Sequence, residues 1–183
     1  MKKACIILSD GFEDLETIGA YDILKRGGVA TDIYSLAGTQ ALSKCGLTCV
    51  RLHPLAELTD TVAATYDVLV LPGGPHYDAL RQNARVRELI LQFFQTEKVL
   101  GAICASPTIL GEMGLLKGKN YTCFTSMNAD FGGHFTGDYA TIDGNLVTGK
   151  SAAAAVEFGL ALVEKVCEAE VAEKVKASIY YKS

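Results

Sequence analysis

The chain has 183 residues, of which 49% are hydrophobic and 21% are charged. This composition suits one compact domain over residues 1–183 and excludes disordered, collagen-like and repeat architectures. The formal net charge of −4 offers no broad basic surface, so we expect no nucleic-acid partner.

The first residues and the cysteines indicate the cellular compartment. The apolar run from Ala4 to Leu8 is too short for the core of a signal peptide or for a membrane span. The six cysteines are scattered through apolar segments, unlike those of a secreted disulfide scaffold. We therefore predict a cytoplasmic protein with reduced thiols and no membrane partner.

In chain order, the first half of the sequence predicts a β-α-β unit and a small hairpin. Residues 3–8 form a β-prone apolar run, and residues 13–26 have the pattern of a helix that ends at Gly27-Gly28. Residues 30–36 predict the next strand. Residues 45–52 form a weakly alternating run, interpreted as part of a hairpin that departs from the main sheet.

The middle of the chain predicts two buried strands with a helix between them. Residues 66–71 form a nearly continuous apolar run, typical of a central parallel strand covered on both faces. The helix runs from Asn83, as its cap, to Gln95. Residues 99–103 predict a further strong strand. One face of the helix is expected to be apolar and to carry Val86, Leu89, Ile90 and Phe93.

The last part of the chain predicts a hairpin and a long helix. Residues 138–149 carry Asp143-Gly144 as the two-residue turn, and residues 152–167 predict the buried helix. Strands that alternate with helices predict an α/β sandwich with a mainly parallel sheet. Ligands of such folds bind outside the carboxyl ends of the strands, here the loops after Leu8, Leu71 and Ile103.

Cys104 is the candidate nucleophile because it follows the predicted strand 99–103 directly. Ser106 is expected to cap the next helix and Pro107 to start it, so that the thiol lies at a sharp turn beside a helix N-terminus. The positive end of a helix favours a thiolate. From the pattern alone, a buried structural cysteine is an equally good interpretation.

Gly73 and Gly74 follow the predicted strand 66–71 in the segment Leu71-Pro72-Gly73-Gly74. Without side chains, their N–H groups can approach a substrate oxygen and stabilise negative charge on it. An ordinary turn after a strand is the alternative interpretation. The segment matches neither a dinucleotide fingerprint nor a phosphate loop.

Glu16 lies on the same predicted helical face as Ala20 and Ile23. Burial on an apolar face would raise the pKa of its carboxyl and let it carry a proton near neutral pH. The alternative is a solvated residue at the start of the helix. Glu13 and Asp14 fit this second interpretation better.

Three histidines are present, and His134 is the best candidate for proton transfer. It follows Gly132-Gly133 in a loop that could fold over the site, although an exposed loop histidine is the common alternative. His53 is interpreted as structural, and His76 as a residue of the pocket rim. The cysteines form no zinc pattern, so no metal site is predicted.

Five segments, taken together, resemble the DJ-1/PfpI superfamily, and within it the DJ-1-like branch. The resemblance runs from residue 3 to about residue 178. The segments are Glu13-Asp14-Leu15-Glu16-Thr17, Val68-Leu69-Val70-Leu71-Pro72-Gly73-Gly74, Ala102-Ile103-Cys104-Ala105-Ser106-Pro107, Gly132-Gly133-His134 and Val156-Glu157-Phe158.

The resemblance implies a flavodoxin-like three-layer sandwich, a homodimer and a reactive cysteine. It assigns Cys104 as nucleophile, Glu16 as its protonated acid/base partner, His134 as a proton carrier, and the amides of Gly74 and Ala105 as the anion pocket. It implies glutathione-independent conversion of small α-oxoaldehydes, such as methylglyoxal to lactate, or a related deglycation. No metal or organic cofactor is expected.

A second function is compatible with the same thiol. Oxidation of Cys104 would make the protein a stress-responsive redox sensor or a chaperone-like protein.

The sequence departs from the branch at Lys150-Ser151-Ala152-Ala153, where many members have Gly-Pro-Gly, so the shape of the pocket is expected to differ. Cys104 is followed by Ala105-Ser106 and not by the histidine of PfpI-type peptidases. The resemblance therefore supports peptidase or amidase activity less well.

Overall fold

The order of helices and strands follows the prediction. The computed structural model describes residues 1–181; residues 182 and 183 of the predicted domain lie outside the described residues. The strands are β1 (Lys3–Leu8), β2 (Ala30–Ser35), β3 (Gln40–Leu42), β4 (Thr48–Val50), β5 (His53–Pro54), β6 (Val68–Leu71), β7 (Val99–Ile103), β8 (Asn120–Tyr121), β9 (His134–Phe135), β10 (Ala140–Asp143) and β11 (Leu146–Gly149). The helices are α1 (Asp14–Arg26), α2 (Asp60–Ala63), α3 (Tyr77–Gln82), α4 (Ala84–Gln95), α5 (Pro107–Glu112), α6 (Ala155–Val166) and α7 (Ala169–Ser178), with 3-10 turns at Leu55–Glu57, Thr125–Met127 and Ala152–Ala154.

The main sheet has the order β10-β11-β7-β6-β1-β2-β5. Its neighbouring strands are parallel, except for β10, which pairs with β11 in the antiparallel sense. The α/β sandwich with a mainly parallel sheet is therefore confirmed. Because β1, β6 and β7 run in the same direction, the loops that follow them meet at one edge of the sheet.

Strand β6 shows why the sheet has a core on each face. All four of its residues are buried. Val68 and Val70 pack into the core that contains α1 and α6 residues, whereas Leu69 and Leu71 pack into the core that contains α4 residues. A continuous apolar run is stable here because helices cover both faces of the sheet.

The two predicted hairpins are present, one of them with a shifted turn. Strands β3 and β4 form a separate two-stranded sheet, as expected for a hairpin that departs from the main sheet. In the other hairpin Asp143 pairs with Leu146, so the turn residues are Gly144-Asn145 and not Asp143-Gly144. The Asp143 carboxylate accepts a hydrogen bond from the backbone N–H of Asn120 at 2.9 Å, which connects the end of β10 to β8.

The helices that cover the sheet also begin close to their predicted positions. Asn83 caps α4, its side chain accepting from the N–H of Val86. Helix α6 starts at Ala155, three residues later than predicted, because residues 152–154 form a 3-10 turn. Within residues 1–181 no helix is long and apolar enough to cross a bilayer. The cytoplasmic location stays a prediction.

Candidate active site

A cavity of about 340 Å³ lies at the carboxyl edge of the main sheet. It is bordered by the segments that follow β1, β6 and β7, as predicted, and also by residues that follow β11. The lining residues are Glu13, Glu16, Lys44, Gly74, Pro75, Tyr77, Cys104, Ala105, Phe124, Met127, Ser151 and Ala152.

Cys104 forms the sharp turn directly after β7. Its backbone φ is 64°, a left-handed conformation that a side chain rarely adopts. Two hydrogen bonds hold this strained residue: its N–H donates to the carbonyl of Gly149 at 2.9 Å, and its carbonyl accepts from the N–H of Phe124 at 2.7 Å. The turn presents a partly exposed thiol to the cavity, as expected for a nucleophile elbow.

The segment after Cys104 differs from the prediction in one respect. Pro107 does start helix α5, but the Ser106 side chain makes no capping hydrogen bond. Instead, its hydroxyl donates to the carbonyl of Pro72 at 2.6 Å. The prediction of a serine cap is therefore wrong, because the hydroxyl links this turn to the neighbouring one. The helix also begins three residues after the thiol and not at it.

Glu16 is fully buried on α1, on the apolar face predicted from its spacing to Ala20 and Ile23. Its Oε2 accepts a hydrogen bond from the N–H of Gly73 at 2.7 Å. Burial raises the pKa of the carboxyl to about 7. Glu13 is nearly buried as well, contrary to expectation, because its side chain caps α1 by accepting from the N–H of Glu16.

Glu16 and Cys104 form a coupled pair of acids. Burial raises the pKa of the Cys104 thiol to about 12, and the charge of the neighbouring Glu16 acts in the same direction. Burial and the charge of Glu16 thus oppose the thiolate that the helix N-terminus is expected to favour, and that expectation stays a prediction. Because each negative charge opposes the other, the pair keeps at least one proton at neutral pH. Glu16, with a pKa near 7, is suited to accept the thiol proton.

The two glycines after β6 have different roles. The Gly73 N–H is already used by Glu16, and a Cβ on this residue would lie 2.6 Å from both the Cys104 Cβ and the Glu16 Oε2. Gly73 therefore allows close packing and is not available to bind a substrate oxygen. In residues 1–181, the Gly74 N–H has no protein acceptor, and the Ala105 N–H contacts only the Cys104 sulfur. These two amides line the cavity.

His134 does not reach the cavity. It lies in β9, where its N–H donates to the carbonyl of Lys119 at 2.8 Å, and its side chain is exposed. The predicted loop is instead a short strand, because residues 134 and 135 pair in parallel with β8, and His134 is not among the residues that line the cavity. Phe124, whose N–H donates to the carbonyl of Cys104, does line the cavity.

Several lining residues were not singled out from the sequence. Lys44 comes from the β3–β4 hairpin, Tyr77 from the start of α3, and Phe124 and Met127 from the segment around a 3-10 turn. Nothing in their local pattern indicates a site, because long-range folding brings them there. Ser151 had a usable signal, since residues 150–153 depart from the branch in sequence.

His76 is buried beneath the site and is not a rim residue. Its Nδ1 accepts from the N–H of Ser9 at 3.0 Å, so Nε2 carries the proton and donates to the carbonyl of Pro72 at 2.9 Å. Burial lowers the pKa of this ring to about 4. The neutral ring and the Ser106 hydroxyl thus fix the same carbonyl, next to Gly73.

We expect His76 to make the protein less stable in acid. In the unfolded chain the ring gains a proton near pH 6.5, whereas in the folded protein it does so only near pH 4. The contribution of the neutral ring to the free energy of unfolding is complete above pH 6.5. It is lost progressively as the pH falls toward 4, by up to about 3 kcal/mol. Urea unfolding of wild type and His76→Gln at pH 7, 6, 5 and 4.5 measures the difference in slope.

The exposed His134 provides the control for this comparison. His134→Gln should keep the wild-type dependence of stability on pH, whereas His76→Gln should have a shallower one. Equal slopes of unfolding free energy against pH in wild type and His76→Gln would contradict this role of His76.

The described residues supply a limited set of chemical groups. Within residues 1–181 no group of three or more His, Cys, Asp or Glu side chains is placed to hold a metal ion. All six cysteines are free thiols. The cavity thus offers one thiol, two carboxyls, two amide N–H groups, two hydroxyls and one lysine.

The chain is similar to known proteins over nearly its whole length. The model of the DJ-1/PfpI family matches residues 2–165. The protein dj-1beta of Drosophila melanogaster is 33% identical over 95% of this chain and 94% of its own length. Its crystal structure has a TM-score of 0.89, with 29% identity over 98% of this chain and 97% of that chain.

One similar protein has a name that states an activity. The glutathione-independent glyoxalase DJR-1.2 of Caenorhabditis elegans is 30% identical over 89% of this chain and 88% of its own length. These matches extend over nearly the whole chain, and the structural match confirms the flavodoxin-like fold. On this evidence, the chain belongs to the DJ-1/PfpI family, and its curated relatives include DJ-1 homologues.

Proposed function

We propose that the protein converts small α-oxoaldehydes into 2-hydroxy acids without glutathione, using Cys104 as the nucleophile. One observation carries the proposal: a thiol on a strained turn adjoins a buried carboxyl whose pKa lies near 7, and both line a small cavity. The family includes a relative that is named a glutathione-independent glyoxalase.

The first step is addition of sulfur to the aldehyde. The Cys104 sulfur forms a bond to the aldehyde carbon, and its proton passes to the Glu16 carboxylate. The aldehyde oxygen becomes an alkoxide, which the N–H groups of Gly74 and Ala105 stabilise. Return of the proton to this oxygen gives a hemithioacetal.

The second step moves hydrogen between the two carbons. Glu16 removes the proton from the former aldehyde carbon, giving an enediol, and a proton is delivered to the neighbouring carbon. The product is a thioester of Cys104. Water hydrolyses this thioester, which releases the hydroxy acid and restores the thiol.

Incubation of the purified protein with methylglyoxal tests the proposal. Lactate should form in the absence of glutathione, in an amount equal to the methylglyoxal consumed. Consumption without lactate, through stable modification of the protein, would contradict the enzyme proposal.

A redox function is the second candidate because the Cys104 thiol is partly exposed and lies beside Glu16. In this proposal peroxide oxidises the sulfur to a sulfinate. Selective oxidation of Cys104 by limiting peroxide, with no lactate formation, would favour it. Peptidase activity is less well supported, since the lining residues include no histidine to pair with the cysteine.

We also propose that the protein forms a homodimer through α1. Leu15 and Ile18 are 61% and 45% exposed on this helix, beside a groove lined by Ala152, Ala153 and Val156. An exposed apolar patch of this kind is typical of an interface. Sedimentation equilibrium should give twice the chain mass, and a monomer over the whole concentration range would exclude the dimer.

A further inference from the structure

The cavity is bordered by a lysine that forms no direct ion pair, although its charge acts on Glu16. Lys44 lines the cavity with Cys104 and Gly74. Within residues 1–181, its ammonium group makes no ion pair or hydrogen bond. An ammonium group at the mouth of a small pocket attracts anionic ligands.

Hydrogen bonds hold the backbone of Lys44 beside the cavity. Its N–H donates to the carbonyl of Phe12 at 2.9 Å. The hydroxyl of the preceding Ser43 accepts from the N–H groups of Cys45 at 3.2 Å and Leu47 at 2.9 Å. These bonds order the loop that joins β3 and β4 and connect it to the segment before α1.

The carboxyls of the cavity form no direct ion pair with Lys44, although its charge acts to lower the pKa of Glu16 against the larger effect of burial. Glu13 accepts a hydrogen bond from the N–H of Glu16, so its oxygen is used at the start of α1. Glu16 is fully buried, and burial raises the pKa of its carboxyl to about 7. Lys44 is the basic residue among the lining residues and is exposed, so it is the group that an incoming anion meets.

We propose that Lys44 is a specificity-determining residue that binds a carboxylate of the reactant, so that the site favours small carbonyl compounds carrying an anionic group. The inference rests on the proposed function for its substrate class. The same lysine also favours binding of the carboxylate that the reaction produces. Binding at an exposed cation is modest in energy and is screened by salt.

Alkylation of Cys104 tests the lysine without requiring turnover. Iodoacetate and iodoacetamide react alike, the sulfur displacing iodide from the methylene carbon, but only iodoacetate carries a carboxylate. The ratio of their rates at Cys104, measured by peptide mass mapping, cancels any change in the amount of thiolate. In Lys44→Met this ratio should fall about threefold to fivefold, and Lys44→Arg should keep the wild-type ratio.

Controls separate a local effect from a change in net charge. Lys25→Met removes the same charge at the far end of α1 and should leave the ratio unchanged. Raising the salt to 1 M should bring the wild-type ratio toward that of Lys44→Met. A ratio in Lys44→Met within twofold of wild type, or an equal fall in Lys25→Met, would overturn the assignment.

This test and the test of the proposed function can fail independently. An unchanged ratio together with lactate formation would remove the role of Lys44 and leave the enzyme proposal in place. A reduced ratio without lactate formation would keep the anion preference of the site and exclude the proposed reaction.

Discussion

Replacing Cys104 by serine is expected to lower lactate formation from methylglyoxal by at least on the order of a thousandfold. A serine hydroxyl is a far weaker nucleophile than a thiol, and the surrounding groups offer no stronger base than Glu16. The substitution is nearly isosteric, so the left-handed turn and its hydrogen bonds to Gly149 and Phe124 should persist. Lactate is measured under saturating methylglyoxal.

Cys167→Ser is the matched control for this prediction. Cys167 is a partly buried thiol at the end of α6, where its sulfur donates to the carbonyl of Gly27 at 3.7 Å, and it does not line the cavity. A serine can make the same contact, so turnover should remain at the wild-type level. Substantial lactate formation by Cys104→Ser would show that the thiol is not the nucleophile.

Replacing Glu16 by glutamine is expected to lower turnover on the order of 10²- to 10⁴-fold while Cys104 remains reactive toward iodoacetamide. The amide carbonyl can still accept from the N–H of Gly73, and the amide nitrogen can donate to the sulfur. Loss of the carboxylate also removes a charge that raises the pKa of the thiol. The glutamine cannot accept or return a proton, which both steps of the reaction require.

The pH dependence distinguishes a proton carrier from a structural partner. In wild type, kcat/KM should rise with an apparent pKa near 7, which belongs to the coupled pair. This rise should be absent in Glu16→Gln. Glu16→Ala should additionally destabilise the fold by about 1–3 kcal/mol, because the N–H of Gly73 loses its buried acceptor.

The control for the Glu16 series is His134→Ala, in which the altered residue is exposed and lies outside the cavity. It should retain full turnover. If Glu16→Gln forms lactate at the wild-type rate, the carboxyl is only a structural partner of Cys104 and the redox proposal gains support. A large loss in His134→Ala would show that the histidine acts in the reaction after all.

The features that the sequence predicted well depend on local patterns. Nearly continuous apolar runs predicted the strands before Gly73 and Cys104, since parallel strands buried on both faces must be almost wholly apolar. The spacing of Glu16 to its apolar neighbours gave its buried face, because the helical period is regular. The site followed from where these strands end.

The features that were missed depend on contacts between distant segments. The pairing of His134 with Asn120 leaves the histidine outside the cavity, and no local pattern encodes it. The N–H of Gly73 is occupied by a carboxyl 57 positions earlier in the chain, which turns an apparent donor into a packing position. The burial of Cys104, which raises the pKa of its thiol, likewise depends on segments that are distant in the sequence.

The separation of the β3–β4 hairpin from the main sheet bears on how this protein can change during evolution. The hairpin brings Lys44 to the cavity that contains Cys104, yet it has its own two-stranded pairing and contributes no strand to the main sheet. Substitutions at the exposed positions 44–47 of its loop should therefore cost little folding stability, whereas substitutions near Cys104 should cost more. Random libraries confined to this loop should yield folded variants with altered ligand preference and the same catalytic chemistry.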